Sequence, residues 1–124
     1  MTAKIIIGAT EDETRMGLVE DGRLMEYLVE RAEENHLVGS IFKGRVCNVV
    51  RGIQAAFIDI GLEQNAFLYL GDKMDVTEGQ SILVQISKDA RGTKGPTATR
   101  EVTLPGKYVV LLPYASYIGV SRKI

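Results

Sequence analysis

Residues 54–70 read QAAFIDIGLEQNAFLYL, two short alternating runs on either side of Gly61-Leu62-Glu63. Successive side chains of a strand point to opposite faces, so each run can be sorted. Ala56, Ile58 and Ile60 share one face of the first, with Ala55, Phe57 and Asp59 on the other; Ala66, Leu68 and Leu70 share a face of the second, with Asn65, Phe67 and Tyr69 opposite. Folding the hairpin about Leu62 sets Ile58 against Ala66, Phe57 against Phe67 and Ala55 against Tyr69. The two aliphatic sets, Ala56-Ile58-Ile60 and Ala66-Leu68-Leu70, then lie on one face and the two phenylalanines sit side by side on the other. An antiparallel sheet needs only one buried face, which leaves two readings of the ring face. It is a platform on which unpaired nucleic-acid bases stack, or a second small core covered by a neighbouring segment.

Working outward, residues 39–50 (GSIFKGRVCNVV) predict a strand with Phe42, Val46 and Val50 on one face and Lys43, Arg45 and Cys47 on the other. Gly44 inside it marks a bend or bulge of the kind small barrels use. Residues 80–87 (QSILVQIS) predict a further strand with Ile82, Val84 and Ile86 inward, and residues 97–104 (TATREVTL) a fifth. The fold class expected is mainly β, a five-stranded OB-type barrel over residues 39–103, with a two-sheet or SH3-like arrangement as the competing architecture. Residues 71–79 read as a polar connection. Residues 88–96 (KDARGTKGP) read as a loop in which Lys88, Arg91 and Lys94 lie among glycines, suited to a phosphate backbone but without the ordered motif of a nucleotide-binding loop.

Both ends of the chain add β segments outside the barrel. Residues 4–9 (KIIIGA) predict a strand buried on both faces. Residues 14–20 and 23–30 predict a hairpin about Asp21-Gly22, a strong turn signal, with Leu24, Glu26, Leu28 and Glu30 on one face, although RLMEYLVERAEE also has fair helix propensity. Residues 31–36 read as a linker. Beyond Pro105-Gly106, residues 107–112 and 117–124 predict two more strands. Neither end reads as a complete domain.

Composition narrows the function classes. The 124 residues suffice for one compact domain plus pieces of others. A formal net charge of −1 says little, but residues 1–38 hold nine acids and four bases whereas the remainder has a net charge of +4. Only the later part is suited to a polyanion. A single cysteine, Cys47, excludes an internal disulfide and reads as a buried thiol; with no leader-like or membrane-spanning run, the cytoplasm is the expected compartment and no membrane partner is expected. No catalytic constellation and no Cys/His metal-ligand spacing is present, and His36 is the sole histidine. Asp59, Asp72 and Asp75 are the only acids with any claim on a hard cation, and Asp59 reads equally as a strand-end residue or a partner of Arg45. What remains is binding: aromatic rings for bases, with Lys43, Arg45, Lys88, Arg91 and Lys94, and more weakly Arg100, for phosphates.

The run from Ile41, IFKGRVCNVVRGIQAAFIDIGLEQNAFLYLGD, resembles the S1 RNA-binding domain of the ribonuclease E/G family, and VQISKDARGTKGPTATREVTLPGKYVVLLP, GVSRKI and the opening IIIGATEDETRMGLVEDGRL extend the resemblance over nearly the whole chain. AAFIDIG together with Gly-Thr-Lys-Gly sets it apart from a general S1 domain. The resemblance implies three parts: residues 1–35 as a segment of an RNase H-like subdomain, 36–103 as the S1 barrel, and 104–124 as the start of a subdomain that senses the 5′ monophosphate of RNA. It implies RNA contact by Phe57, Phe67 and Lys94, and places Gly106 and Val110 in the lining of the 5′-phosphate pocket; Tyr69, opposite Ala55 on the ring face, is a candidate from the alternation alone. It implies that the intact enzyme is an endoribonuclease of RNA processing and decay, using magnesium, a zinc link and homo-oligomerisation. The magnesium-binding aspartates and zinc-linking cysteines of the family are not in this chain, which is therefore expected to hold single-stranded RNA without cleaving it. A non-enzymatic S1 protein of translation or RNA folding, and a β module for protein interaction, are the rival readings. Two departures stand out: residues 71–79 form a shorter connection than in larger members, and Pro96 and Arg100-Glu101 replace small or apolar residues, which predicts a distorted fifth strand.

Overall fold

The computed structural model describes residues 1–32 and 36–123. The expected linker over 31–36 therefore falls partly outside the described residues, as does Ile124. The chain divides into two units, Met1–His36 and Leu37–Ile124.

In the first unit, strands β1 (Ala3–Ala9), β2 (Glu13–Glu20) and β3 (Arg23–Arg31) form an antiparallel sheet in that order. Asp21 and Gly22 both take positive φ, 47° and 79°, the geometry that an Asp-Gly hairpin turn supplies. The helical alternative for β3 is excluded. Two expectations are corrected here. The register shifts between Leu18 and Val19, because Met25 is an extra residue on β3, so Leu24 joins the face of Gly17 and Tyr27 instead of that of Glu26 and Leu28. The isoleucines of β1 are not buried on either face: Ile5, Ile6 and Ile7 are 64%, 59% and 64% exposed. A three-stranded sheet supplies no second layer to cover them. On the face carrying Tyr27, Arg15 bridges the Glu13 carboxylate at 2.6 Å and donates to the Tyr27 hydroxyl at 3.1 Å.

The second unit holds a closed barrel of β4 (Ile41–Val50), β5 (Ala55–Asp59), β6 (Ala66–Tyr69), β7 (Ser81–Lys88) and β8 (Thr97–Thr99), in the order β4-β5-β6-β8-β7. β7 returns antiparallel to β4, and β8 inserts parallel to β6 and antiparallel to β7. This is a five-stranded mixed barrel consistent with an OB-fold. Its core is the set that alternation selects: Ala56, Ile58, Ile60, Ala66, Leu68, Leu70, Val84 and Ile86 are all buried, with Val46 and Ala98 among them. The connection over 71–79 is less polar in practice than in composition, since Val76 is buried in this core and Met74 packs against it. Arg100 holds that connection through an ion pair with Asp75 at 3.0 Å.

Several local expectations change. Gly44 is not the site of a bulge; it keeps register with Ile82 on β7 and faces inward, where a Cβ would collide with the Ile58 side chain. The irregularity lies three residues on, where Cys47 is an extra residue between the Val46–Ile58 and Asn48–Phe57 pairs. Beyond it the faces exchange: Val49, not Val50, packs against the core, and Cys47 is exposed. The fifth strand stops at Thr99, because Arg100 turns away toward Asp75 and the chain doubles back, with Val102 N–H donating to the Arg100 carbonyl. Residues 107–112 do not form one strand. Short strands β9 (Leu104–Pro105) and β10 (Val110–Leu111) make a two-stranded ribbon, and no strand forms over the described residues of 117–123.

Candidate nucleic-acid interface

The outer face of the barrel carries a row of five side chains in register across the strands. Asn48 of β4 is opposite Phe57 of β5, Phe57 is opposite Phe67 of β6, Phe67 is level with Thr97 of β8, and Thr97 is opposite Lys88 of β7. The central pair has the register that alternation assigned. The ring centroids are 5.9 Å apart and the planes are inclined at 70°, an edge-to-face contact within the range aromatic pairs prefer. Both rings are partly exposed, and among the described residues no segment seals them, which favours an open platform over a covered core. Rings so inclined cannot both lie parallel to two mutually stacked bases. They suit bases splayed apart, as single-stranded RNA presents them.

Both ends of the row are delivered by β-bulges. Unbroken alternation would turn Asn48 inward with Val46, and Lys88 inward with Ile86. The extra residue Cys47 on β4, and a second extra residue, Ser87, on β7, rotate each of them to the outer face. Re-aiming a side chain is a recurrent use of bulges. Ser87 is held in place by its hydroxyl, which donates to the Thr97 carbonyl at 3.2 Å.

The loop over 88–96 is not free to drape. Arg91 and Lys94 close a small turn through reciprocal backbone hydrogen bonds of 3.0 and 2.9 Å. Gln64 donates to the Thr93 carbonyl at 3.2 Å, and Phe67 N–H donates to the Pro96 carbonyl at 2.8 Å. Gly95 lies against the Asn65 carbonyl so closely that a Cβ would overlap it. Gly95 is thus needed for close contact, and it anchors the Lys94 turn to the strand that carries Phe67. Arg91 and Lys94 are exposed.

The remaining site residues fall around this row. Arg45 is opposite Asp59 on the same outer face, one pair along from Phe57; the Asp59 carboxylate accepts from Gly61 N–H at 2.8 Å and so shapes the hairpin turn. Lys43 is opposite Leu83 on the far side of β4, exposed and further from the rings. Tyr69 is opposite Ala55, 62% exposed, and its hydroxyl donates to Gln54 Oε1 at 3.2 Å. Arg100 is engaged with Asp75 and does not join the cluster.

No protein-family model matches the chain. Curated relatives do, along its whole length. Ribonuclease G of Escherichia coli strain K12 is 41% identical over 145 aligned residues that take in 100% of the chain. Ribonuclease G of Haemophilus influenzae is 39% identical over 98% of it, and ribonuclease E of Nostoc is 38% identical over 100%. The chain belongs to the ribonuclease E/G family. It spans 30%, 29% and 20% of the lengths of these three proteins. The alignment to ribonuclease G runs to 145 positions against 124 residues, so that relative carries additional residues within the matched span.

Within the family frame, Gly106 and Val110 occupy the ribbon. Gly106 N–H donates to the Val109 carbonyl at 2.8 Å, closing the turn between the strands, and Val110 is opposite Pro105 and 54% exposed. Among the described residues no three His, Cys, Asp or Glu side chains gather as a metal site. No helix among the described residues is long and apolar enough to cross a membrane. The residues that sequence reasoning missed are Asn48 and Thr97, which flank the rings; neither bulge has a compositional signal.

Proposed function

We propose that this chain is the RNA-holding part of a ribonuclease E/G-like endoribonuclease of RNA processing and decay, and that its barrel grips single-stranded RNA. The observation that carries this reading is the Phe57–Phe67 pair, adjacent, inclined and open on the outer face. Each ring offers a π surface to one unpaired base, a contact worth about 1–3 kcal/mol per base. Lys88, at the end of the row, and Lys94 and Arg91, on the turn anchored beside Phe67, neutralise the neighbouring phosphates, with Arg45 and then Lys43 further out. Tyr69 extends the ring surface toward Gln54. None of these groups breaks a bond. They bind and orient, and hydrolysis belongs to the whole enzyme, with metal donors outside this chain.

The two flanking pieces fit the same reading. The uncovered β1–β3 sheet is one layer of an RNase H-like subdomain, which accounts for its exposed isoleucines. The ribbon turn with Gly106 and Val110 opens the subdomain that receives an RNA 5′ phosphate.

The test is an equilibrium titration of the full chain with an unstructured RNA at several salt concentrations, comparing wild type with Phe57→Ala plus Phe67→Ala. The double variant is expected to bind at least about tenfold more weakly while keeping its fold by circular dichroism. Unchanged affinity would remove the platform and leave a protein-interaction module as the better reading.

A further inference from the structure

We infer that Asn48 reads the edge of the base stacked on Phe57 and favours adenine there. The inference rests on the RNA-binding reading above and deepens it. Three observations carry it. Asn48 is directly opposite Phe57 in the ladder, and such neighbours have Cβ atoms about 4.5–5.5 Å apart. Its carboxamide is exposed and has no hydrogen-bond partner among the described residues. It occupies this place only because the bulge at Cys47 turns it out of the barrel; without that extra residue it would be an unpaired amide in the core.

A base lying on the Phe57 ring projects its edge sideways, toward the next side chain in the row. A carboxamide there presents a donor and an acceptor side by side. Single-stranded bases are read on their Watson–Crick and Hoogsteen edges, and asparagine matches the N7 acceptor and N6 donor of adenine with two hydrogen bonds. The lysines and arginines around the rings act on phosphate and carry no such information. The barrel face thus divides into rings that hold any base, cations that hold the backbone, and one amide that discriminates.

Stacking strength alone creates base preferences, so the test must keep the ring system constant. The full chain is titrated with a ten-residue oligoadenylate and with the same oligomer built from unsubstituted purine riboside, which lacks the N6 donor. Wild type is expected to bind the purine oligomer at least about fivefold more weakly, and Asn48→Ala to bring the two within about twofold, since one bidentate contact is lost. Equal binding of the two oligomers by wild type, or an undiminished ratio in Asn48→Ala, would overturn the inference. Phe57→Ala separates the two levels: if it leaves oligoadenylate binding intact, the RNA-binding reading itself fails, whereas loss of binding in Phe57→Ala with an unchanged ratio in Asn48→Ala sinks only the edge contact.

Discussion

In the barrel, Ile58, Leu68 and Ile86 are 0–1% exposed, whereas in the N-terminal sheet Ile5, Ile6 and Ile7 are 59–64% exposed. The two regions have similar strand-forming sequence and differ in closure. Five strands joined edge to edge make an inside, and every inward aliphatic finds partners there; three strands in one layer have two faces and no inside. The difference explains why a functional surface can be read from the barrel. Where one face is committed to a core, an aromatic pair on the other face is informative. In the sheet, where neither face is committed to a core, exposed apolar residues carry no such message.

The sharpest way to break this contrast is a matched pair of truncations. Ile58→Ala is expected to destabilise the barrel by about 2–5 kcal/mol, the usual cost of a cavity in a packed core. Ile6→Ala is expected to change stability by about 0.5 kcal/mol or less, as exposed substitutions do. Urea unfolding of both variants measures the difference; equal effects would mean that the sheet has a core of its own. A middle-sized effect is expected from Gly95→Ala. The added methyl meets the Asn65 carbonyl, and forcing such a contact costs about 1–3 kcal/mol, with the Lys94 turn displaced and RNA affinity lowered beyond what stability explains. Retained affinity would show that the turn need not be anchored beside Phe67.

The smallest effect concerns the connection that plugs the barrel. The hydrogen bond from Arg100 holds the Asp75 carboxyl below its ordinary range. A carboxyl whose folded pKa is lowered contributes stability above its unfolded value and loses it as pH falls through the folded one. Arg100→Gln is therefore expected to lower the melting temperature slightly at neutral pH, with the gap closing on acidification below the ordinary carboxylate range. A gap independent of pH would assign the role of Arg100 to packing.

The same contrast governs what could be read from sequence. The hairpin register Phe57–Phe67 and the inward set Ile58, Ala66, Leu68, Val84 and Ile86 were legible because a slip of one residue would expose the whole aliphatic face. The bulges at Met25, Cys47 and Ser87 were not legible, because a single extra residue leaves composition and periodicity nearly unchanged while exchanging the faces beyond it. They misassigned Leu24 and Val50 and hid Asn48. The role of Gly95 was invisible for another reason: its partner Asn65 is thirty residues away, and only the closed barrel brings them together. Arg100 read as part of a strand because its ion pair with Asp75 is equally long-range.

The most direct measurement is an NMR titration of the labelled full chain with a short unstructured RNA, following the ring signals of Phe57, Phe67 and Tyr27. Large, saturable ring-current shifts are expected at Phe57 and Phe67 and none at Tyr27, the half-exposed ring of the uncovered sheet. Saturable shifts centred on Tyr27 and its neighbours, with the two phenylalanines unmoved, would contradict the barrel platform.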